Sequence, residues 1–204
     1  MNQQAVDHLI RVDQVLARHI RRIGACELKP HRNRGVFRAL VQAVTHQQLN
    51  GTAATTIFKR FIALYPGRRF PTPEEVLATP DEKLRGAGLS RAKTAAIKDI
   101  AAKAVGGAIP VARTITRMDN EEIIARLTTI RGVGPWTVEM LLIFTLGRPD
   151  VLPVTDFGVR KGFARLYALK ELPAPQYLLS HGERWRPHRS AAAWYLWRAA
   201  DLPD

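Results

Sequence analysis

Cysteine and long apolar runs are both scarce in this chain. A single cysteine, Cys26, stands among 204 residues, which excludes a disulfide framework and any four-cysteine zinc or iron–sulfur site. No run approaches about 18 uncharged apolar residues, so no membrane span is expected. The first residues lack the uninterrupted apolar core of a secretory signal. These absences predict a soluble protein of a reducing compartment.

Acidic residues are also in deficit. The chain has 31 Lys and Arg against 18 Asp and Glu, a formal net charge of +13. Such a charge favours a polyanionic partner and predicts binding that weakens with salt. A solubility surface, or a genome that favours arginine, would give the same excess, so charge alone does not separate these interpretations.

A third absence is that of alternating strand patterns, and the apolar spacing instead predicts an all-α protein. Apolar residues recur at nearly 3.6-residue spacing through residues 2–24, which predicts one amphipathic helix. Residues 138–146 are apolar nearly all round and predict a buried core helix, whereas two glycines and Pro110 predict a loop over residues 104–116. About ten helical segments are expected in all.

The most informative stretch is residues 127–156, LTTIRGVGPWTVEMLLIFTLGRPDVLPVTD. Gly132 and Gly134 permit a tight turn, and Pro135 suits the first turn of a helix. The N–H groups at such a helix start form an anion site. An ordinary helix–turn–helix connection without a ligand has the same local pattern. The whole string 127–138, however, matches the helix-hairpin-helix DNA-binding motif, which predicts a clamp on a DNA phosphate.

Asp156 ends this stretch at the predicted start of another helix. The helix dipole favours a negative charge there. Aspartate is also a common N-cap, and its position alone favours that simpler role.

Five strings together resemble the superfamily of DNA base-excision glycosylases that combines a helix-hairpin-helix, a Gly/Pro-rich loop and a catalytic aspartate. Within it, the chain is similar to the 3-methyladenine DNA glycosylase II branch, which acts on alkylpurines. The strings are LVQAVTHQQLN at 40–50, GAGLSRAKTAAIKDIA at 86–101, LTTIRGVGPWTVEMLLIF at 127–144, VLPVTDFGVRKGF at 151–163 and WRPHRSAAAWYLW at 185–197. The resemblance covers most of the chain from residue 36 onward and is weak over residues 1–35.

This resemblance implies an all-α fold of two helical subdomains with a cleft between them and no N-terminal β domain. One module of residues 1–204 is expected. Subdomain A would comprise residues 1–35 and 152–204, and subdomain B residues 36–151, with the helix-hairpin-helix at 127–146.

The implied activity is that of a monofunctional DNA glycosylase. It would flip out alkylated purines of the 3-methyladenine and 7-methylguanine class and hydrolyse their N-glycosidic bond in base excision repair. Bifunctional relatives carry a catalytic lysine where Trp136 stands, so no Schiff base and no strand cleavage are expected. The alternatives are a non-catalytic helical module that binds damaged DNA, and a glycosylase for another base lesion.

The resemblance also assigns site residues. Asp156 would be catalytic, stabilising the positive charge on the sugar and orienting water. The base pocket would hold Trp136, Trp197 and Met140, although either tryptophan could instead pack in the core. Met140 stands where a larger relative has tyrosine, so the pocket is less aromatic here. The expected DNA-binding residues are Gly132, Gly134, Thr137, Gln48, Leu49, Arg160 and Lys161.

Two of these assignments keep an alternative. Gln48 falls on the position of the wedge that fills the gap left by a flipped base, and its apolar neighbour Leu49 is the second candidate; the Gln47-Gln48 pair could also merely cap a helix. Arg160, Lys161 and Arg189 either add charge toward DNA or belong to a solvated surface.

The expected partner is double-stranded DNA containing alkylated bases, bound by a monomer without a membrane. No cofactor or metal is expected to be required. Whether hairpin carbonyls bind a monovalent or calcium ion when DNA is present stays open at this point. The expected location is the bacterial cytoplasm, with the nucleoid, or the nucleus if the chain is eukaryotic.

Overall fold

The computed structural model describes residues 3–31, 35–49 and 51–202, which form helices joined by turns and loops. No β-strand occurs in those residues, and the predicted all-α class is confirmed. Asn50, the last residue of the 40–50 string, lies outside the described residues. The first seven helices are α1 (Gln3–Val12), α2 (Gln14–Ile23), α3 (Val36–His46), α4 (Gly51–Ala63), α5 (Pro73–Ala78), α6 (Asp81–Gly86) and α7 (Arg91–Val105). The next six are α8 (Ala112–Ile115), α9 (Asn120–Leu127), α10 (Pro135–Leu141), α11 (Phe157–Leu166), α12 (Pro175–Gly182) and α13 (Arg189–Ala200).

The chain divides into two compact units. Unit 1 comprises Met1–His31 and Leu142–Asp204, and unit 2 comprises Arg32–Leu141. The sequence expectation set the second boundary near residue 152, and the contacts of Phe144 explain why the structure has it earlier. The Phe144 ring stacks on Trp197 with 5.4 Å between centroids, and its carbonyl accepts a hydrogen bond of 2.7 Å from the His31 N–H.

Unit 2 contains α3 to α10, with α7 packed against α3, α5 and α6. Ile97 and Ile100 of α7 and Leu40 and Val44 of α3 are buried and supply apolar contacts. The predicted loop over residues 104–116 is wrong in part. The helix α7 continues to Val105, and the one-turn helix α8 forms because its last residue, Ile115, is fully buried.

Unit 1 begins with two helices where the sequence predicted one. The cause is Asp13, whose side chain accepts hydrogen bonds from the N–H groups of Val15 (3.1 Å) and Leu16 (3.0 Å) and so caps a new helix, α2. Its second oxygen accepts from Tyr167 (2.5 Å), His181 (3.1 Å) and Trp185 (2.9 Å). Burial alone would raise the pKa of Asp13, but these hydrogen bonds together hold it well below its usual value.

A second helix prediction is corrected at residues 138–146. The α-helix α10 ends at Leu141, and the chain continues as a π-helical turn, Leu142–Leu146. This wider turn carries Phe144 onto Trp197 of α13 within unit 1. Helix α12 and the 3₁₀ turn Glu183–Trp185 were not predicted. None of the helices in the described residues has the length and apolar character needed to cross a membrane.

Candidate functional site

The hairpin of residues 128–134 joins α9 to α10 as the sequence predicts. Gly132 has a φ of +74°, and a Cβ atom there would lie 3.1 Å from the Cβ of Ala96, so both backbone conformation and space require glycine. Gly134 has no such restriction, since nothing lies within 4 Å of its ideal Cβ. Its carbonyl accepts from the Val138 N–H at 3.2 Å and starts helix α10 with Pro135 in the first turn.

Two side chains from elsewhere in unit 2 hold this hairpin. The Gln47 amide donates to the Gly132 carbonyl at 3.0 Å and to Thr137 Oγ1 at 3.2 Å. Asp99 Oδ2 accepts from the Arg131 N–H at 2.7 Å. Sequence reasoning missed both roles, because the partners are 32 and 85 residues apart along the chain.

The turn of residues 47–49 follows helix α3 and presents two exposed side chains. Gln48 has a φ of +56°, a left-handed conformation that is uncommon for a non-glycine residue. Leu49 is 40 % exposed, and Gln48 is exposed as well. Left-handed backbone at non-glycine residues concentrates at functional sites. Here it occurs in the turn whose two exposed side chains, Gln48 and Leu49, are the candidates for the wedge.

These two motifs of unit 2 meet at one cavity of about 690 Å³. Its lining includes six of the predicted site residues: Gln48, Leu49, Gly134, Trp136, Thr137 and Met140. Trp136 is 43 % exposed, so it is not a core residue. An exposed indole beside a polar turn offers a face on which a planar group can stack.

Asp156 lies in unit 1 as the N-cap of α11. Its Oδ1 accepts from the Val159 N–H at 2.8 Å and from the Trp197 indole N–H at 2.8 Å. The capping role that the position suggests is therefore real. The bond from Trp197 adds a second restraint on the carboxylate.

Trp197 is held in place by its neighbours in unit 1. Phe144 stacks on it, and Gly158 leaves it room, because a Cβ on Gly158 would lie 2.8 Å from Trp197 Cδ1. The indole is half-buried rather than part of the core. Phe157, directly after Asp156, is 66 % exposed and was not singled out from the sequence.

The basic residues considered near these motifs differ in environment. Arg160 donates to the Pro173 carbonyl at 2.9 Å, and both Arg160 and Lys161 are half-buried on α11. Arg189 is buried and donates to Asp150 at 2.7 Å, so its charge is used within unit 1. Among the residues that the structure describes, no group of three His, Cys, Asp or Glu side chains could hold a metal ion.

Replacing Gly134 with leucine is expected to weaken affinity for undamaged and damaged duplex DNA alike. The side chain has room in the protein but would cover the N–H groups at the start of α10. The loss should be about tenfold, equivalent to one charged hydrogen bond of ~1.5 kcal/mol. Fluorescence anisotropy with labelled duplexes measures it. Gly86→Leu, at an exposed glycine of unit 2 that also has open space around it, is the control; equal affinities for both variants would contradict the clamp.

The glycine hairpin between α9 and α10 makes this a helix-hairpin-helix protein. The family model described as "HhH-GPD superfamily base excision DNA repair protein" matches residues 41–187. The chain therefore belongs to the HhH-GPD superfamily.

Two proteins of one yeast are among the similar proteins. The chain is 41 % identical to DNA-3-methyladenine glycosylase 1 of Schizosaccharomyces pombe, over 97 % of this chain and 87 % of that protein. It is 31 % identical to the alkylbase DNA glycosidase-like protein mag2 of the same yeast, over 98 % and 94 %.

Two solved structures at 33 % identity or more are also similar to the chain. The S. pombe 3-methyladenine DNA glycosylase Mag1 in complex with abasic DNA superposes with a TM-score of 0.88 at 40 % identity, covering 98 % of this chain and 97 % of that one. A DNA-3-methyladenine glycosidase from Bacillus halodurans gives a TM-score of 0.85 at 33 % identity, covering 97 % and 89 %.

Proposed function

We propose that this protein is a monofunctional DNA glycosylase that releases alkylated purines of the 3-methyladenine and 7-methylguanine class from double-stranded DNA. The observation that carries the proposal is the cavity of unit 2, whose lining includes six of the residues expected to bind the phosphate, fill the gap in the duplex or hold the base. The names of the similar yeast and bacterial proteins, DNA-3-methyladenine glycosylases, support the same substrate class.

Holding the DNA backbone is the first task. The N–H groups at the start of α10 would bind a phosphate next to the lesion, and such a contact positions the protein without reading sequence. The bonds from Gln47 and Asp99 keep the hairpin in the conformation that presents those groups. The net charge of +13 favours association with the polyanion.

Extruding the damaged nucleotide is the second task. The sugar C1′ is inaccessible within a stacked duplex, so the base must leave the helix. Gln48 or Leu49 would fill the gap, since both are exposed on the turn of residues 47–49. A purine alkylated at N3 or N7 carries a positive charge, which the face of Trp136 would attract by stacking and cation–π interaction.

Bond cleavage is the third task. The electrons of the N-glycosidic bond leave with the cationic base, which becomes neutral, and positive charge builds on the sugar. The carboxylate of Asp156 would stabilise that charge and accept a proton from the water that adds to C1′. Trp197 restrains the carboxylate through its indole N–H. Because the base is already a good leaving group, no strong general acid is needed.

The reaction consumes only water, and we propose that the enzyme acts as a monomer without a cofactor, in the compartment that holds the DNA. Trp136 cannot form a Schiff base with the abasic sugar, so the product strand stays intact.

The proposal is tested with methylated duplex DNA. The wild-type protein is expected to release free 3-methyladenine and 7-methylguanine, which chromatography detects, and to leave abasic sites that break only after alkali. Strand breaks without alkali would refute the monofunctional mechanism. Binding without release of any base would favour the damage-binding module. No release from methylated DNA, together with release of oxidised or deaminated bases from duplexes that contain them, would favour a different lesion class.

A further inference from the structure

Helix α7 supports both turns that line the cavity of unit 2. Lys93 Nζ donates to the carbonyls of Thr45 and Gln47, each at 2.8 Å, at the end of helix α3. Six residues further along α7, Asp99 accepts from the Arg131 N–H of the hairpin. Ala96 lies between them and packs where Gly132 leaves no room for a side chain.

The position of Lys93 is itself fixed. Ser90 caps α7 by accepting from the Lys93 N–H at 3.2 Å. The half-buried side chain of Lys93 extends from this point to the end of α3. The carbonyls at a helix C-terminus lack partners within the helix. Lys93 satisfies two groups of this kind immediately before Gln48, the residue with left-handed backbone.

The charge of Lys93 matters as well as its reach. The C-terminus of α3 carries the negative end of a helix dipole, and it leads into the turn that would enter polyanionic DNA. An ammonium group at the Thr45 and Gln47 carbonyls offsets that partial charge. The turn of residues 47–49 has the sequence Gln-Gln-Leu and contributes no charged side chain of its own.

We propose that Lys93 is a positioning residue for base extrusion: it fixes the turn of residues 47–49 so that Gln48 or Leu49 enters the duplex, without itself touching DNA. The inference rests on the proposed function and adds a residue and a step to it. It does not depend on which of the two side chains is the wedge.

The chain offers a matched control one and a half turns along the same helix. Lys98 donates to the carbonyls of Leu77 (2.7 Å) and Thr79 (2.5 Å) at the end of α5, as Lys93 does at the end of α3. Lys98 is also half-buried. Lys93→Met and Lys98→Met therefore each remove two bonds to carbonyls at a helix end, and only one of these ends leads into the cavity. Lys98→Met also removes an exposed ion pair with Asp81 at 3.8 Å.

The first measurement is single-turnover release of 7-methylguanine. From a fully paired duplex, Lys93→Met is expected to be about 10- to 100-fold slower than wild type, the penalty for misplacing a group by roughly 1 Å, whereas Lys98→Met stays near wild type. When the lesion is left unpaired opposite an abasic gap, Lys93→Met should recover most of its rate, because extrusion is then easy. Equal rates for the two variants, or no recovery on the unpaired lesion, would overturn the inference.

A second measurement does not need turnover. A 2-aminopurine placed opposite an abasic-site analogue becomes fluorescent when an inserted side chain unstacks it. Wild type and Lys98→Met should give the signal and Lys93→Met should lose it, at protein concentrations that saturate the DNA. If the three proteins differ in fluorescence in this way but wild type releases no base, the proposed function fails and the positioning role stands. If wild type releases base while both variants behave alike in both assays, the positioning role alone fails.

Discussion

Replacing Asp156 with asparagine is expected to slow base release by about 10³-fold, because the negative charge that stabilises the oxocarbenium-like sugar disappears. Asparagine Oδ1 can still accept from the Val159 N–H and the Trp197 indole, the two bonds that Asp156 Oδ1 accepts in the structure. The fold and the affinity for abasic-analogue DNA should therefore be retained. Single-turnover release of 3-methyladenine from methylated DNA, with thermal unfolding in parallel, measures both.

Loss of charge must be separated from a weakened helix cap. Asp119 provides the comparison, since it caps α9 by accepting from the Glu122 N–H at 2.6 Å, the same arrangement that Asp156 makes with Val159. Asp119→Asn weakens a cap without touching the proposed chemistry. If both variants lose the same modest fraction of activity, Asp156 is only a cap; a large loss confined to Asp156→Asn identifies the carboxylate as catalytic.

The features that sequence could predict are local ones. Thr72, Pro73 and Glu75 predict a helix start, and the structure has a capping box there, with Glu75 accepting from the Thr72 N–H at 2.8 Å. The glycine spacing predicts the hairpin for the same reason: the φ of +74° at Gly132 is a property of one residue and its neighbours.

Features that depend on partners far apart along the chain could not be predicted from the sequence. Asp13 lies at an apolar position of a helical pattern, yet it interrupts the helix because Tyr167, His181 and Trp185 bring three hydrogen-bond donors to it. Nothing near residue 13 indicates those donors. Lys93 is similar, since its bonds reach back 46 and 48 residues to the end of α3.

The candidate site shows the same difference between local and long-range features. The motif predicts a set of site residues, and six of them line one cavity of unit 2. What holds them in place could not be stated: the Gln47 amide on the hairpin and the Trp197 indole on Asp156 are both long-range contacts. A motif therefore names the groups that would meet the DNA, while their supports must be read from the fold.

Gly162 is such a support, and Gly162→Ala is expected to destabilise the protein strongly. A Cβ atom at this position would lie 1.8 Å from the Leu196 carbonyl oxygen and 2.6 Å from its carbon, both backbone atoms of α13. A normal C···O contact is about 3.3 Å or longer, so α11 and α13 would have to separate by roughly 1.5 Å. The expected loss is about 3 kcal/mol of unfolding free energy, or roughly 10 °C in melting temperature for a chain of this size.

The same displacement should reach the proposed chemistry, because Asp156 caps α11 and Trp197 belongs to α13. The indole-to-carboxylate bond of 2.8 Å joins these two helices. Base release by Gly162→Ala, measured well below its melting temperature, is therefore expected to fall further than the folded fraction explains. Gly86→Ala, at a site with open space, should change neither quantity. A Gly162→Ala protein that melts lower yet releases base at the wild-type rate would show that the contact between α11 and α13 supports stability alone, and that Asp156 acts without the restraint from Trp197.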